Sequence, residues 1–293
     1  MSSPVFTGSG VALITPMQED GSVNYKKLGE LIEFQINNST DALIICGTTG
    51  ESKTLENEEH ENVIKYSVEA ASGRVPVIAG TGSNDTAYSV KLSKYAKKAG
   101  ADALLLVTPY YNKTTQKGLI RHFGTIAAAT DLPCILYNVP SRTGMNIETD
   151  TYQRLSEIEN IVAVKEASGN ISQIARIAQC CDLNIYSGND DQIVPIMSLG
   201  GIGVISVLAN ILPRETHAIC RYMLDGEFQR ARQMQLKYLN FINALFCEVN
   251  PIPVKTALNL IGMNVGPLRL PLCEMNEQNL QMLKSCMSEL ELI

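Results

Sequence analysis

Apolar residues cluster along the chain in eight short runs with little polar alternation: GVALITP (10–16), DALIICG (41–47), PVIAGTG (76–82), ADALLLVTP (101–109), PCILYNVP (133–140), IVAVKEA (161–167), NIYSGND (184–190) and GVISVLAN (203–210). Near-continuous hydrophobicity predicts strands covered on both faces, which is how parallel sheet reads. The intervening segments carry helical period instead. From Asn84 to Lys98, the residues Tyr88, Leu92, Tyr95 and Ala99 form one stripe, with Ser83 or Asn84 as the N-cap and Gly100 as the stop.

Strands alternating with helices imply βαβ units, and eight units match the size of a (β/α)8 barrel, typically ~250 residues. A doubly wound open sheet is the alternative, but GGIGVIS (200–206) gives only GxGxxS, late in the chain. The expected architecture is an α/β chain with a (β/α)8 barrel over residues 1–225 and a helical C-terminal extension over 226–293. Helices are predicted over 214–248, 252–262 and 276–291, separated by NPIP and GPLRLP.

Composition narrows the function. With 293 residues, 45% of them hydrophobic, the chain can bury a sizeable core. A net charge of -6 and no Lys/Arg run interleaved with aromatics argue against nucleic-acid binding. The start, MSSPVFTGSG, has no basic and apolar leader pattern, and no apolar run reaches the ~18 residues of a membrane span, so a cytoplasmic protein is expected. The eight cysteines lack any CxxC pair and are expected to be small reduced core residues. Three histidines without HExxH spacing predict no metal site.

One strand breaks its apolar pattern. In IVAVKEASG, side-chain alternation puts Ile161, Ala163 and Lys165 on one face and Val162, Val164 and Glu166 on the other. If the first set points into the barrel, Lys165 stands at the C-terminal mouth, where barrel enzymes place their chemistry. Burial there disfavours the ammonium and favours a neutral amine able to form a Schiff base with a carbonyl. The alternative is a snorkelling or ion-paired lysine. Other strand ends favour the nucleophile. GTTGES (47–52) offers backbone amides and two hydroxyls for a small carboxylate, TPYYN (108–112) offers two phenols, and YNVPSRTG (137–144) offers Tyr137 and Arg142. Each alone reads as turn, packing or surface charge; together they converge on one barrel mouth. Glu166, of opposite parity, is expected to have no catalytic role. Glu51 is expected to orient its turn, and Lys255, beside the stripe Val254, Ala257, Leu258 and Ile261, to be a structural or solvated helix residue. His122 and His217 lie in helical segments, where a structural role is expected.

In combination, GTTGES, TPYYN, YNVPSRTG and VAVKEASG resemble the dihydrodipicolinate synthase family within the pyruvate-dependent Schiff-base aldolases, across essentially the whole chain from GSGVALITP to LRLPL. The resemblance implies condensation of pyruvate with L-aspartate 4-semialdehyde, opening the diaminopimelate branch of lysine biosynthesis, with no cofactor or metal beyond the lysine–pyruvate imine. It implies that Lys165 forms the imine, that Thr48 and Thr49 contact the pyruvate carboxylate, and that Thr49 links Tyr137 and Tyr111 in a proton relay. Tyr137 would be the main acid/base group, Tyr111 would come from a neighbouring subunit, Arg142 would hold the semialdehyde carboxylate, and Gly188 and Ile205 would line the pocket. A homotetramer built from dimers is implied as well. Ser52, His60, Asn84 and Tyr110 match parts of the family's lysine-feedback site, whereas Asn57 stands where a histidine is common and Tyr88 where a glutamate is expected. Weak or absent lysine inhibition follows as an expectation. Two competing functions remain: a sister aldolase such as an N-acetylneuraminate lyase, against which Arg142 argues, and a non-catalytic pyruvate-binding paralogue.

Overall fold

The eight apolar runs become eight parallel strands that close into a barrel in chain order: β1 Gly8–Ala12, β2 Ala42–Ile45, β3 Val77–Gly80, β4 Ala103–Val107, β5 Cys134–Asn138, β6 Ile161–Glu166, β7 Asn184–Ser187 and β8 Gly203–Ser206. The structure, a computed structural model, describes residues 3–293. Alternation along each strand divides two buried sets. Ala42, Ile44, Ile78, Ala103, Leu105 and Ile205 fill the barrel, while Leu43, Ile45, Leu104, Leu106 and Val204 pack under the surrounding helices.

Most strands stop before their apolar runs do. Strand β1 begins two residues ahead of the run and ends at Ala12, although Leu13 and Ile14 remain buried, and the tail of GVISVLAN forms a 3-10 turn over Leu208–Asn210. Apolarity reports burial, and the βα loops at this face are buried without joining the ladder.

The parity of β6 holds where it matters and fails at its start. Cys134 pairs with Ile161 but Ile135 pairs with Ala163, so Val162 is an extra residue in the ladder. Ala163 and Lys165 therefore face inward as expected, whereas Ile161 packs outside and Val162 joins the interior cluster.

The helix Thr86–Ala99 is capped by Asp85, not by Ser83 or Asn84; its carboxylate accepts the amides of Ala87 at 2.9 Å and Tyr88 at 3.4 Å. Gly100 ends it at φ +91° as expected. Its buried face is Ser89, Leu92, Ser93 and Ala96, flanked by half-buried Tyr88, Tyr95 and Ala99. Of the two inward hydroxyls, Ser93 Oγ lies 2.9 Å from Thr81 Oγ1, while Ser89 Oγ has no partner among the described residues. The stretch 214–248 is two helices, Pro213–Leu224 and Phe228–Ala244, broken at Gly226, whose φ of +79° no L-residue adopts readily. Helices Ile252–Leu260 and Glu277–Glu289 follow and pack together; the second also packs on Phe228–Ala244.

All eight cysteines are free. Cys46, Cys134 and Cys220 are buried, and burial pushes the Cys134 thiol up to about 12. Cys273 departs from the expectation of a core residue: it is exposed, in the irregular stretch before the last helix. No described helix is long and apolar enough to cross a membrane.

At the N-terminal side of the barrel, Asp41 accepts the Ser9 amide at 2.7 Å and pairs with His217 Nδ1 at 2.8 Å, tying the helix Pro213–Leu224 to β1 and β2. The hydrogen bond to Asp41, opposed by burial, raises the His217 pKa above 6.5. A raised folded-state pKa means that the protonated pair stabilises fully below about pH 6.5 and is lost as pH rises through the folded value. The difference in thermal midpoint between wild type and His217→Asn should accordingly be largest near pH 5.5 and shrink by pH 8.5; a difference independent of pH would refute the pair's contribution.

Candidate active site

Lys165 is the penultimate residue of β6, with its side chain inside the barrel and only 6% exposed. The register places Tyr137 of β5 on one side and Tyr186 of β7 on the other. Lys165 Nζ lies 4.3 Å from the centroid of the Tyr137 ring, which also lines a cavity at this mouth. Ile205 is in the barrel interior on β8. Gly188 follows β7 at a close approach: a Cβ there would stand 2.6 Å from that of Ala167 and 3.0 Å from the Glu166 carbonyl oxygen, so only glycine leaves room beside the lysine strand.

A cavity of about 300 Å³ opens at the C-terminal mouth, with Thr48, Ser52, Tyr110, Tyr137, Arg142 and Asn250 in its wall. Lys165, Thr49, Gly188 and Ile205 lie off that wall, and Tyr137 is the surface shared by the lysine and the cavity. Thr49 is buried, and its Oγ1 accepts a hydrogen bond from Asn250 Nδ2 at 3.0 Å. Exposed Arg142 donates from Nη2 to the Asn250 carbonyl oxygen at 3.3 Å. The amides of Thr48, Thr49 and Gly50 donate to no group among the described residues. Consecutive free amides of this kind form an anion cradle. Tyr111 stands apart from the cluster, 90% exposed and at a φ of +67°.

The turn that carries the two threonines is held from below. Cys46 and Glu51 both have left-handed backbone, at φ +56° and +53°. Such residues cost ~1–3 kcal/mol each and persist where surroundings over-determine them. For Glu51 the surroundings are explicit. Its carboxylate accepts Lys255 Nζ at 2.7 Å and the Arg269 amide at 3.1 Å, and both charged side chains are essentially inaccessible to solvent. Glu51 thus orients its turn as expected, but Lys255 is not solvated; it is a buried ion-pair partner that also donates to the carbonyl oxygens of Thr15 and Pro267. Burial lowers the Lys255 pKa, and the charge and hydrogen bond of Glu51 oppose that shift.

The sequence pattern of the dihydrodipicolinate synthetase family matches residues 5–290. The chain belongs to that family. A 4-hydroxy-tetrahydrodipicolinate synthase from Acetivibrio thermocellus is 59% identical over the whole of both chains. The crystal structure of dihydrodipicolinate synthase from Aquifex aeolicus superposes with a TM-score of 0.96 at 49% identity, covering 98% of this chain and 99% of that one. The chloride-inhibited dihydrodipicolinate synthase from Acinetobacter baumannii, complexed with pyruvate, superposes at 0.96 and 45% identity with the same coverage of both chains. This member of the dihydrodipicolinate synthetase family is an enzyme with 4-hydroxy-tetrahydrodipicolinate synthase activity, in lysine and diaminopimelate biosynthesis.

The residues matched to a feedback site divide by location. Ser52 and Tyr110 line the cavity, with Lys53 Nζ 5.1 Å from the Tyr110 ring centroid. Asn84 and Tyr88 are half-buried on the next loop and helix, and Asn57 is exposed at the start of the helix Asn57–Ala71. His60 is buried with Nε2 2.9 Å from the Gly80 carbonyl oxygen, and burial lowers its pKa to about 4. It is a neutral donor committed to the barrel wall. His122 and His217 are structural as expected, the first through its Nδ1, 2.8 Å from Thr86 Oγ1.

Asn250 and Asp190 escaped the sequence, and Lys255 was expected to be structural or solvated but without its partner Glu51. Asn250 and Lys255 come from the C-terminal segment, where only NPIP marked a break. Asp190 carried a signal, the first of two acids in SGNDD after a strand end. Its buried carboxylate accepts the amides of Val207 at 2.9 Å and Leu208 at 3.0 Å, together with the Ser206 hydroxyl. Burial raises its pKa, against those hydrogen bonds and the charge of Lys165.

Removing one partner of a buried pair strands the other charge, at a cost of about 3–5 kcal/mol. Lys255→Met should lose that much unfolding free energy in urea titrations, and adding Glu51→Gln should restore part of it. A loss under about 1 kcal/mol for the single substitution would show that the pair does not hold the turn.

Proposed function

We propose that the chain condenses pyruvate with L-aspartate 4-semialdehyde through an imine on Lys165. The observation that carries this is a buried lysine at the end of a barrel strand, against the ring of a tyrosine that lines a cavity containing Thr48 and Arg142. The Lys165 amine attacks the pyruvate ketone carbon. The hydroxyl of the adduct leaves as water with a proton supplied by Tyr137, while the nitrogen lone pair forms the C=N bond. Loss of a methyl proton gives an enamine, whose carbon attacks the semialdehyde aldehyde; the resulting alkoxide takes up a proton. The substrate's own amine then displaces Lys165 from the imine carbon and closes the ring.

The free amides at Thr48, Thr49 and Gly50 suit the pyruvate carboxylate, and the Arg142 guanidinium suits the carboxylate of the second substrate. Holding both in place converts a bimolecular step into an effectively unimolecular one. Gly188 and Ile205 shape the pocket behind the imine. Arg142 favours this acceptor over a sugar acid, which would call for hydroxyl-binding groups in its place.

Tyr111 is a large aromatic side chain left in solvent on strained backbone. We assign it to the site of a second copy, completing the relay with Thr49 and Tyr137 in a homotetramer built from dimers, in the cytoplasm. For lysine, a phenol at position 88 in place of a carboxylate removes a charge-assisted partner for the effector amine. Millimolar lysine should therefore leave the steady-state rate nearly unchanged; half-maximal inhibition at low micromolar lysine would refute this.

Incubation with pyruvate and sodium borohydride, followed by intact-mass and peptide mapping, should give one pyruvate-derived adduct on Lys165, absent from Lys165→Ala. Wild-type enzyme that acquires no adduct would return the chain to the pyruvate-binding alternative.

A further inference from the structure

Lys53 directly follows the turn GTTGES, lines the cavity and pairs with no carboxylate among the described residues. It spans two neighbouring loops instead. Its Nζ donates to the Gly82 carbonyl oxygen at 3.1 Å and stands 5.1 Å from the centroid of the Tyr110 ring. The first partner sits in a fixed place. A Cβ on Gly82 would meet the Val107 nitrogen at 2.3 Å, and the Gly82 amide donates to the Leu105 carbonyl oxygen at 3.2 Å, so this loop lies flush on β4. The second partner opens a strained segment, in which Tyr111 and Lys113 both have left-handed backbone, at φ +67° and +48°.

Left-handed residues persist where their surroundings over-determine them, and around this segment the restraints are few. The Asn112 amide donates to the Tyr110 carbonyl oxygen at 2.9 Å, and Asn112 Nδ2 donates to the Asn84 carbonyl oxygen at 3.0 Å. The phenols of Tyr110 and Tyr111 have no hydrogen-bond partner among the described residues. A lysine amine within about 6 Å of a ring centroid attracts the ring face, and here that amine is itself held by a fixed carbonyl. We propose that Lys53 is a positioning residue that pins the Tyr110 ring to the Gly82 loop and so sets how Tyr111 is presented to a second copy. This rests on the role given to Tyr111 above. A cation in the cavity wall has one other use, drawing in carboxylate substrates. That use acts on KM, whereas pinning acts on turnover.

The test compares Lys53→Met, which keeps an apolar stem and removes the charge, with Lys53→Arg, which keeps the charge and stacks on aromatic faces. Hydrogen exchange of peptides spanning residues 108–114 reads the loop directly, and steady-state kinetics are normalised to the fraction of Lys165 trapped by pyruvate and borohydride. Lys53→Met should speed exchange of the segment by about fivefold or more. Its kcat should fall by about four- to tenfold while KM for either substrate stays within about twofold. Lys53→Arg should bring both readouts back to within about twofold of wild type. In a Tyr111→Phe background, Lys53→Met should cost less than about twofold further in kcat.

Loop exchange in Lys53→Met within about twofold of wild type would overturn the proposal. A raised KM with unchanged kcat would overturn it too, and would assign Lys53 to substrate attraction. Full turnover by Tyr111→Phe would overturn the role of Tyr111 itself, and loop exchange would still decide whether Lys53 pins the segment.

Discussion

The buried pair between Glu51 and Lys255 is the constraint from which the rest of the mouth is built. Two charges this deep are stable only when paired and hydrogen-bonded, and here both Glu51 oxygens and all three Lys255 protons have partners: Lys255 adds the carbonyl oxygens of Thr15 and Pro267, and Glu51 adds the Arg269 amide. The pair therefore joins the loop after β1, the turn after β2, the helix Ile252–Leu260 and the segment around Pro267. Arg269 extends the clamp with a bidentate pair to Glu59 and bonds to the carbonyl oxygens of Thr54 and Gly21. With those pieces fixed, Asn250 can reach Thr49, and the amides of the turn stay unpaired beside the cavity that Thr48 lines.

A second buried carboxylate fixes the lysine strand from outside. Glu166 accepts the Tyr152 hydroxyl at 2.8 Å, the Ser168 amide at 2.8 Å and Asn138 Nδ2 at 3.1 Å. Burial and the charge of Glu166 hold the Tyr152 phenol far above its usual range, so it remains a donor. Adjacent residues of β6 thus divide the work. Glu166 locks the strand end to its neighbours, and Lys165 presents its amine on the other face.

The barrel was legible because parallel strands buried on both faces write themselves as apolar runs, and the inward lysine was legible because alternation survives through the end of β6. Strand limits were not, since buried loops such as Leu208–Asn210 are as apolar as the ladder. The extra residue at Val162 left no compositional trace, and the break at Gly226 was hidden by helix-forming residues on both sides. The motif residues on the strand ends could be named in advance because each lies close in sequence to a strand that positions it. The pairings of Asn250 and Lys255 could not, because their partners Thr49 and Glu51 lie about two hundred residues away and only the folded chain brings them together.

The central claim is that one covalent lysine and one anion-binding turn, held in register by buried charge, form a single site. A crystal structure of the enzyme soaked with pyruvate tests it most directly. The account predicts continuous density from Lys165 Nζ to the pyruvate ketone carbon, with the carboxylate on the amides of Thr48, Thr49 and Gly50 and the Glu51–Lys255 pair undisturbed. Pyruvate bound through another residue, or its carboxylate seated away from that turn, would contradict it.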